Sequence, residues 1–271
     1  MIDLRDSTDP EIAIAATVLA TLDAAARTAG VPLVVVGATA RNILSAGLLG
    51  RLPERSTRDV DIAVAVASWP EFRRLTDRLE RRGRGEHTFV VDGVEVDVVP
   101  FGGIEAPDRT VLWPDDVRMN VLGLREAYAA AQDVRMPGDV VVKVPSIPGL
   151  AVLKLVTWSD RHLLTRRDAI DLDTIIGWYS TGTFLDSLYA EEADLLAVYD
   201  FEIELAGAHL LGSHMARLLG PASAEAVAGM LDDEALARLA NDMGRTSTGM
   251  TQLLQALRAG IRPGVEPTGP D

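Results

Sequence analysis

The feature that most constrains the fold is the stretch from residue 57 to residue 66, Thr-Arg-Asp-Val-Asp-Ile-Ala-Val-Ala-Val. Successive side chains of a β-strand alternate between the two faces of a sheet. Asp59 and Asp61 therefore share one face, while apolar side chains occupy the other. The stretch predicts a strand with a core on one side and two adjacent carboxylates on the other. Because like charges at this spacing repel, a divalent cation with oxygen ligands is their natural partner.

A second strand pattern adds a third carboxylate. Asp92-Gly93 favours a tight hairpin turn between two strands, which we predict over residues 87–91 and 94–99. In the second of these strands, Glu95 and Asp97 alternate with valines and so lie on a common face. Where this strand neighbours the first, Asp97 becomes a third candidate metal ligand.

Upstream, an apolar strand over residues 33–36 runs directly into a Gly-Ala-Thr-Ala-Arg turn at residues 37–41, where a helix begins. Small residues at such a turn let the backbone approach a phosphate, and the helix N-terminus favours the anion. An ordinary tight turn without a ligand fits the same residues. Arg41, on the first helical turn, either faces a ligand or pairs with a neighbouring acid.

The apolar periodicity changes near residue 146. Before it, strand and helix patterns alternate, and after it helical spacing continues to about residue 262, with one predicted helix spanning 193–219. We therefore predict an α/β (α+β) fold. A domain at 1–145 has a mixed, mostly antiparallel sheet flanked by helices, a helical domain follows at 146–262, and a disordered tail at 263–271. The active site is expected in the cleft between the two domains.

Arginines cluster in two places near the predicted strands. Residues 68–82 have helical spacing, with five arginines on the outer face: Arg73, Arg74, Arg78, Arg81 and Arg82. A solvated charged face is the ordinary explanation of such a cluster, and an RNA-contacting patch is the alternative. Arg51, Arg55 and Arg58 precede Asp59 in a loop, where they form either solvated surface or a phosphate-contacting rim.

Composition excludes several classes of function. The chain has 271 residues, no cysteine and four histidines, so disulfides and thiolate sites are excluded and a zinc site is disfavoured. The net charge of −14 counts against non-specific coating of nucleic acid and suits a metal-assisted reaction on a phosphorylated small molecule. We see neither an apolar run of about 20 residues nor a signal-peptide layout, so we expect a cytoplasmic protein without membrane association.

Together, these motifs resemble the polymerase β-like nucleotidyltransferases in order as well as in content. The Gly37 turn takes the place of that superfamily's glycine-rich turn, Asp59 and Asp61 that of its paired metal ligands, and Asp97 that of its third carboxylate. Over about residues 30–175, the chain is also similar to the AbiEii/AbiGii (MenA-type) toxins of type IV toxin–antitoxin systems. Ala38 departs from the superfamily's Gly or Ser, which leaves a phosphate-binding hydroxyl to Thr39.

The resemblance implies a polymerase β-like nucleotidyltransferase domain followed by a helical domain, with NMP transferred from an NTP to an acceptor hydroxyl and Mg²⁺ (or Mn²⁺) as cofactor. Asp59, Asp61 and Asp97 would be both catalytic residues and metal ligands. The nucleotide-binding residues would be Gly37, Ala38, Thr39, Arg41, Arg58, Lys154 and Asp168, with Asp171 in support. The toxins further imply the 3′ end of tRNA as acceptor and a cognate antitoxin as partner.

Other interpretations stay open. Lys154 also fits a lysine that extends along an apolar helix face, and Asp168 fits a helix N-terminal charge. An acidic chain with this fold suits a small-molecule enzyme that adenylylates a cationic aminoglycoside. A nucleotide-binding regulatory module that has lost catalysis would keep the fold without the chemistry, although the presence of all three carboxylates argues against it.

Overall fold

The computed structural model describes residues 1–51, 57, 59–83, 85–244 and 248–262. The chain divides into two compact units, Met1–Ser146 and Ile147–Asp271, and each is described by itself. The predicted rim residues Arg55 and Arg58, and the predicted disordered tail at 263–271, lie outside the described residues.

The first unit alternates strands and helices, as the apolar patterns predict. In chain order, its elements are β1 (Ile2–Asp3), α1 (Pro10–Ala29), β2 (Leu33–Val36), α2 (Gly37–Leu49), β3 (Asp59–Ala65), α3 (Trp69–Thr76), β4 (Glu80–Arg81), β5 (Thr88–Val91), β6 (Val94–Phe101), β7 (Thr110–Leu112), β8 (Arg118–Asn120), α4 (Leu124–Ala129), β9 (Gln132–Arg135) and β10 (Val141–Val144). Strands β3 and β6, which carry the three predicted carboxylates, are the longest of those described.

The central sheet has five strands in the order β2-β3-β6-β5-β4. Strands β3 and β6 run parallel, and the other neighbouring pairs are antiparallel. Their register places Asp59 opposite Glu95 and Asp61 opposite Asp97. Side chains at the alternating positions of both strands, such as Val98, are buried in the core. The sheet confirms the predicted mixed, mostly antiparallel α/β fold.

The predicted hairpin at Asp92-Gly93 is confirmed. Both residues have left-handed φ angles, 51° and 80°, as a type I′ turn requires. This two-residue turn fixes the pairing of β5 with β6, and hence the face on which Asp97 lies. A three-stranded sheet, β1-β9-β10, and the small β7-β8 hairpin complete the strands in the described part of this unit.

Helix α1 is defined by its two ends. Asp9 accepts hydrogen bonds from the backbone N–H groups of Glu11 and Ile12, and Gly30 ends the helix with a φ of 68°. Among the described helices, α1 alone is long and apolar enough to cross a membrane. The expectation that no apolar segment reaches this length is therefore wrong. A helix packed in a globular core passes the same test, and Leu19 and Leu22 are fully buried here.

The predicted helix over residues 68–82 is shorter than expected. Helix α3 ends at Thr76, and the chain then turns into β4, where Glu80 and Arg81 pair with β5. Backbone pairing at this sheet edge outweighs the helical preference of the arginine-rich segment. The five arginines therefore do not lie along one helix face.

The second unit is helical wherever it has regular secondary structure among the described residues. Its helices are α5 (Ile147–Arg161), α6 (Arg167–Trp178), α7 (Gly182–Ala190), α8 (Ala193–Val198), α9 (Ile203–Leu219), α10 (Pro221–Gly229), α11 (Asp233–Asp242) and α12 (Thr248–Ile261). Helices α9 and α12 cross closely because each has a glycine at the contact. A Cβ atom at Gly212 would overlap the backbone of Leu257, and one at Gly260 would overlap that of His209.

The predicted single helix over residues 193–219 is divided in two. Asp200 and Phe201 lie between α8 and α9 with left-handed φ angles of 50° and 65°. The backbone N–H of Phe201 donates to the carbonyl of Leu196 at 3.0 Å, which closes α8. The break contains neither proline nor glycine, so the usual sequence signals did not reveal it.

Candidate active site

Three of the predicted site residues lie together on one face of the central sheet. Asp59 and Asp61 project from β3 and Asp97 from β6, and all three are half-buried. Because Asp61 and Asp97 are register partners on adjacent strands, their Cα atoms are separated by about 4.8 Å, the usual spacing between strands. The carboxylates therefore share one concentrated patch of negative charge.

Threonine hydroxyls orient two of these carboxylates without neutralising them. Thr57 Oγ1 donates to Asp59 Oδ1 at 2.5 Å, and Thr88 Oγ1 donates to Asp97 Oδ1 at 2.7 Å. A fourth acid on the same face, Glu95, forms an ion pair with Arg82 at 2.9 Å. This ion pair already engages the Glu95 carboxylate, which makes Glu95 a weak candidate for a metal ligand.

Gly37 packs directly against this carboxylate patch. Its φ of 65° lies in the left-handed region, and a Cβ atom at this position would overlap the carboxylate of Asp61. Helix α2 begins here, and its N-cap residue, Val36, supplies no side-chain hydrogen bond to the first turn. Backbone N–H groups at the start of a helix attract an anion, so the geometry suits a phosphate beside the carboxylates.

Thr39 and Arg41, which we predicted as nucleotide-binding residues, are buried in α2. The Thr39 hydroxyl donates to the backbone carbonyl of Asp59 at 3.3 Å and so ties the turn to β3. Arg41 is 4% exposed, and its guanidinium group donates to Asn42 Oδ1 at 2.7 and 3.1 Å. Asn42 in turn donates to Glu11 Oε2 on α1 at 2.9 Å. These bonds favour a positioning role for both residues over direct ligand contact.

The donor set of the carboxylate patch fits Mg²⁺ or Mn²⁺. Both ions prefer oxygen ligands, and Asp59, Asp61 and Asp97 supply only oxygens. Within the described residues, no three acidic or histidine side chains already converge as a metal cluster. The strand register aligns the backbone positions of Asp61 and Asp97 on adjacent strands. The fit thus rests on chemistry and register.

Lys154, Asp168 and Asp171 form a compact ionic cluster within the second unit. Lys154 Nζ donates to Asp168 Oδ1 at 3.0 Å and lies 2.7 Å from Asp171 Oδ2, an ion-pair distance without hydrogen-bond alignment. The Lys154 side chain is 7% exposed, so it does not extend along the helix to solvent. Although burial opposes ionisation, Lys154 and Arg161 together hold the pKa of Asp168 below its usual value.

The predicted arginine patch is largely paired with acids. Arg74 lies 3.5 Å from Glu71, and Arg81 lies 3.0 Å from Glu86, while Arg82 pairs with Glu95 as described above. These pairs weaken the case for a continuous RNA-contacting surface. The chain of bonds from Arg41 through Asn42 to Glu11 has no signal in the sequence, because no local pattern indicates a contact between residues 31 positions apart.

Comparison with protein families identifies the chain. The sequence profile of the AbiEii family, described as the nucleotidyl transferase AbiEii toxin of type IV toxin–antitoxin systems, matches residues 20–248. The chain belongs to this family. That assignment confirms the predicted resemblance and the nucleotidyltransferase fold. Among curated proteins, none matches this chain at a significant level.

Solved structures of nucleotidyltransferase-like proteins resemble this AbiEii-family chain distantly. One is an antigenic nucleotidyltransferase-like protein from Paracoccidioides brasiliensis, 18% identical, with a TM-score of 0.42 over 70% of this chain and 92% of that one. Two others are structures of the antibiotic-resistance factor ANT(2″)-Ia. Its solution structure is 14% identical, with a TM-score of 0.39 over 68% of this chain and 94% of that one. Its complex with adenylyl-2″-tobramycin is 15% identical, with a TM-score of 0.39 over 73% and 97%.

Proposed function

We propose that this AbiEii-family chain is a Mg²⁺- or Mn²⁺-dependent enzyme that transfers NMP from an NTP to the 3′-terminal hydroxyl of a tRNA. The proposal rests mainly on two contacts: Asp61 and Asp97 are register partners on adjacent strands, and Gly37 packs against Asp61. Carboxylates and a glycine turn therefore lie in one place. A nucleotidyl transfer needs both parts: one to hold cations and one to hold phosphate.

We assign a separate role in the reaction to each part of the site. Asp59, Asp61 and Asp97 would hold the metal, which when bound neutralises the triphosphate and activates the attacking hydroxyl. The backbone at Gly37 and the start of α2 would hold the β- and γ-phosphates. As the acceptor oxygen bonds to the α-phosphorus and the bond to pyrophosphate breaks, Asp97 would accept the hydroxyl proton. Thr57 and Thr88 would keep the carboxylates oriented through their hydrogen bonds.

The tRNA acceptor and the antitoxin partner in this proposal are inferred from membership of the family. A type IV toxin implies a cognate antitoxin and a nucleotide substrate. The expectation that Lys154 and Asp168 contribute to nucleotide binding rests on the family resemblance alone. The ion pairs within the second unit already give both residues a structural role. Exposed Arg73 and Arg74 are the best candidates on α3 for contact with RNA, and charge reversal at both should weaken tRNA labelling.

One labelling assay tests the proposal. The protein is incubated with each α-labelled NTP, Mg²⁺ or Mn²⁺, and either total tRNA or a panel of aminoglycosides. We expect label in tRNA, and its loss by at least about a hundredfold in Asp61→Asn, because a metal ligand is removed without a change in size. Asp116→Asn is the matched control, since Asp116 is exposed and asparagine tolerates its left-handed φ of 64°.

The other outcomes separate the competing functions. Label in an aminoglycoside would replace tRNA with a small-molecule acceptor, and full activity in Asp61→Asn would contradict the metal assignment. Absence of label from every acceptor, together with retained nucleotide binding, would favour a regulatory module that has lost catalysis.

A further inference from the structure

A cavity of about 290 Å³ lies beside the carboxylate patch, within the first unit. Its walls come from α1, α2 and the starts of β3 and β6, and Asp59 belongs to both the cavity and the patch. Pockets for whole small-molecule ligands usually measure about 300–1,000 Å³. A cavity at the lower limit of this range suits a single ring system.

The lining of the cavity selects the chemistry of its occupant. Ile14, Ala15 and Val94 supply apolar walls, and Glu11 and Asp59 supply carboxylates. The charged side chains among the described lining residues are the acids Glu11 and Asp59, which repel a phosphate. Apolar walls would leave the hydroxyl groups of a sugar unsatisfied. A flat, weakly polar ring that carries N–H donors at its edge meets these requirements.

Glu11 is held in place as a hydrogen-bond acceptor. Asn42 is 2% exposed, and both ends of its amide are engaged: Oδ1 accepts from Arg41, and Nδ2 donates to Glu11 Oε2 at 2.9 Å. Among the described residues, Glu11 Oε1 has no hydrogen-bond partner of its own. The buried residues Arg41 and Asn42 therefore hold the half-buried Glu11 carboxylate at the cavity and leave one of its oxygens for a ligand.

Building on the proposed function, we infer that this cavity is a nucleobase subsite in which Glu11 accepts hydrogen bonds from the amino edge of adenine, cytosine or guanine. The ring would lie against Ile14 and Val94, with its ribose directed towards Asp59. Uracil presents two carbonyl oxygens to such a carboxylate beside its one ring N–H, so it should bind more weakly than the amino bases. The base belongs either to the incoming NTP or to the 3′ end of the RNA acceptor.

The Glu11→Gln substitution gives a specific test. Asn42 Nδ2 remains a donor, so it should hold the new amide oxygen and turn the new NH₂ group towards the cavity. The subsite would then change from acceptor to donor. We expect affinity for the best amino-bearing base to fall about tenfold, because a charged hydrogen bond is lost, whereas affinity for uracil should be unchanged or higher. Calorimetric titration with the four α,β-methylene NTP analogues, and with short RNAs that differ in the 3′ base, measures both.

Methyl NMR identifies the source of the base. With isoleucine δ1-methyl labelling, the Ile14 resonance should shift on addition of the NTP analogue or of the RNA, whichever donates the base. Ile170, an exposed residue of the second unit, is the control. Ala15→Leu should fill the cavity and abolish the Ile14 shift, whereas Ala13→Leu, at an exposed position of the same helix, should preserve it.

Several results would overturn the inference. These are an Ile14 resonance that moves with neither probe, an equal loss of affinity for all four bases in Glu11→Gln, or a shift produced by aminoglycosides alone. The proposed function fails separately. Nucleotide transfer without any Ile14 shift would refute only the base subsite, and an Ile14 shift in a protein that labels no acceptor would refute only the transferase.

Discussion

The two acidic clusters of this chain have opposite electrostatic designs. On the central sheet, Asp59 and Asp97 are half-buried and accept hydrogen bonds from neutral threonine hydroxyls. In the second unit, Asp168 and Asp171 are almost fully buried and lie against the ammonium group of Lys154. The threonine hydroxyls leave the charges of Asp59 and Asp97 in place, whereas Lys154 compensates the charges of the second cluster from within the protein.

This difference indicates what each cluster can bind. A hydroxyl orients a carboxylate but leaves its charge for an external cation, so the sheet cluster suits a metal. An ammonium group compensates the charge in place, so the second cluster contributes to the packing of α5 against α6 whether or not a ligand binds. Stability measurements without ligand should therefore respond strongly to mutation of the second cluster and weakly to mutation of the first.

The largest effect on stability is expected from Lys154→Met. This change removes the buried ammonium group that lies against both Asp168 and Asp171, and breaking a buried ion pair in this way typically costs about 3–5 kcal/mol. Urea denaturation followed by circular dichroism measures the loss. Arg161→Met is the control, because Arg161 also pairs with Asp168 but its side chain is 52% exposed, and its loss should cost no more than about 1 kcal/mol. Equal losses in the two variants would contradict the neutralised character of this cluster.

The next largest effect is expected from Gly37→Ala. The new methyl group would occupy a left-handed position and would also overlap the Asp61 carboxylate, so we expect a loss of about 2 kcal/mol. Gly50→Ala is a matched control: its φ of 61° is similar, but no atom of the described residues lies within 4 Å of the added methyl. The excess cost at Gly37 isolates the packing of the turn against the carboxylate, and an identical cost at both glycines would show that this packing is unimportant.

A smaller effect on stability is expected from metal binding, to which the sheet cluster should respond and the second cluster should not. At a Mg²⁺ concentration about ten times the dissociation constant, binding to the folded state adds about 1.4 kcal/mol of stability. Asp61→Asn should abolish this gain, because a metal ligand is removed. Melting curves with and without Mg²⁺ provide the test, and Asp116→Asn should retain the full response. A Mg²⁺ gain that survives in Asp61→Asn would place the metal elsewhere.

The sequence predicted the parts of the site that depend on local chain geometry. Alternation along β3 and β6, joined to the Asp92-Gly93 turn, was sufficient to place three carboxylates on one face. It was not sufficient where tertiary contacts decide. The end of α3 at Thr76 depends on sheet pairing of the next residues, and the hydrogen bond from Asn42 to Glu11 joins two helices. Such contacts have no periodic signature, so the structure was needed to find them.

The smallest effect should appear in the pH dependence of the second cluster. Because the pKa of Asp168 is lowered in the folded protein, its ionised form stabilises the fold above the unfolded-state pKa of about 3.9, and this contribution is lost as the pH falls through the folded-state pKa. The difference in stability between the wild type and Asp168→Asn should therefore be constant from pH 7 to about pH 5 and shrink below about pH 4. Asp186→Asn, at an exposed position of α7, should show a small difference that changes little over this range. Urea midpoints at pH 6, 5, 4 and 3 measure both, and a gap for Asp168→Asn that widens in acid would reverse the assigned charge state.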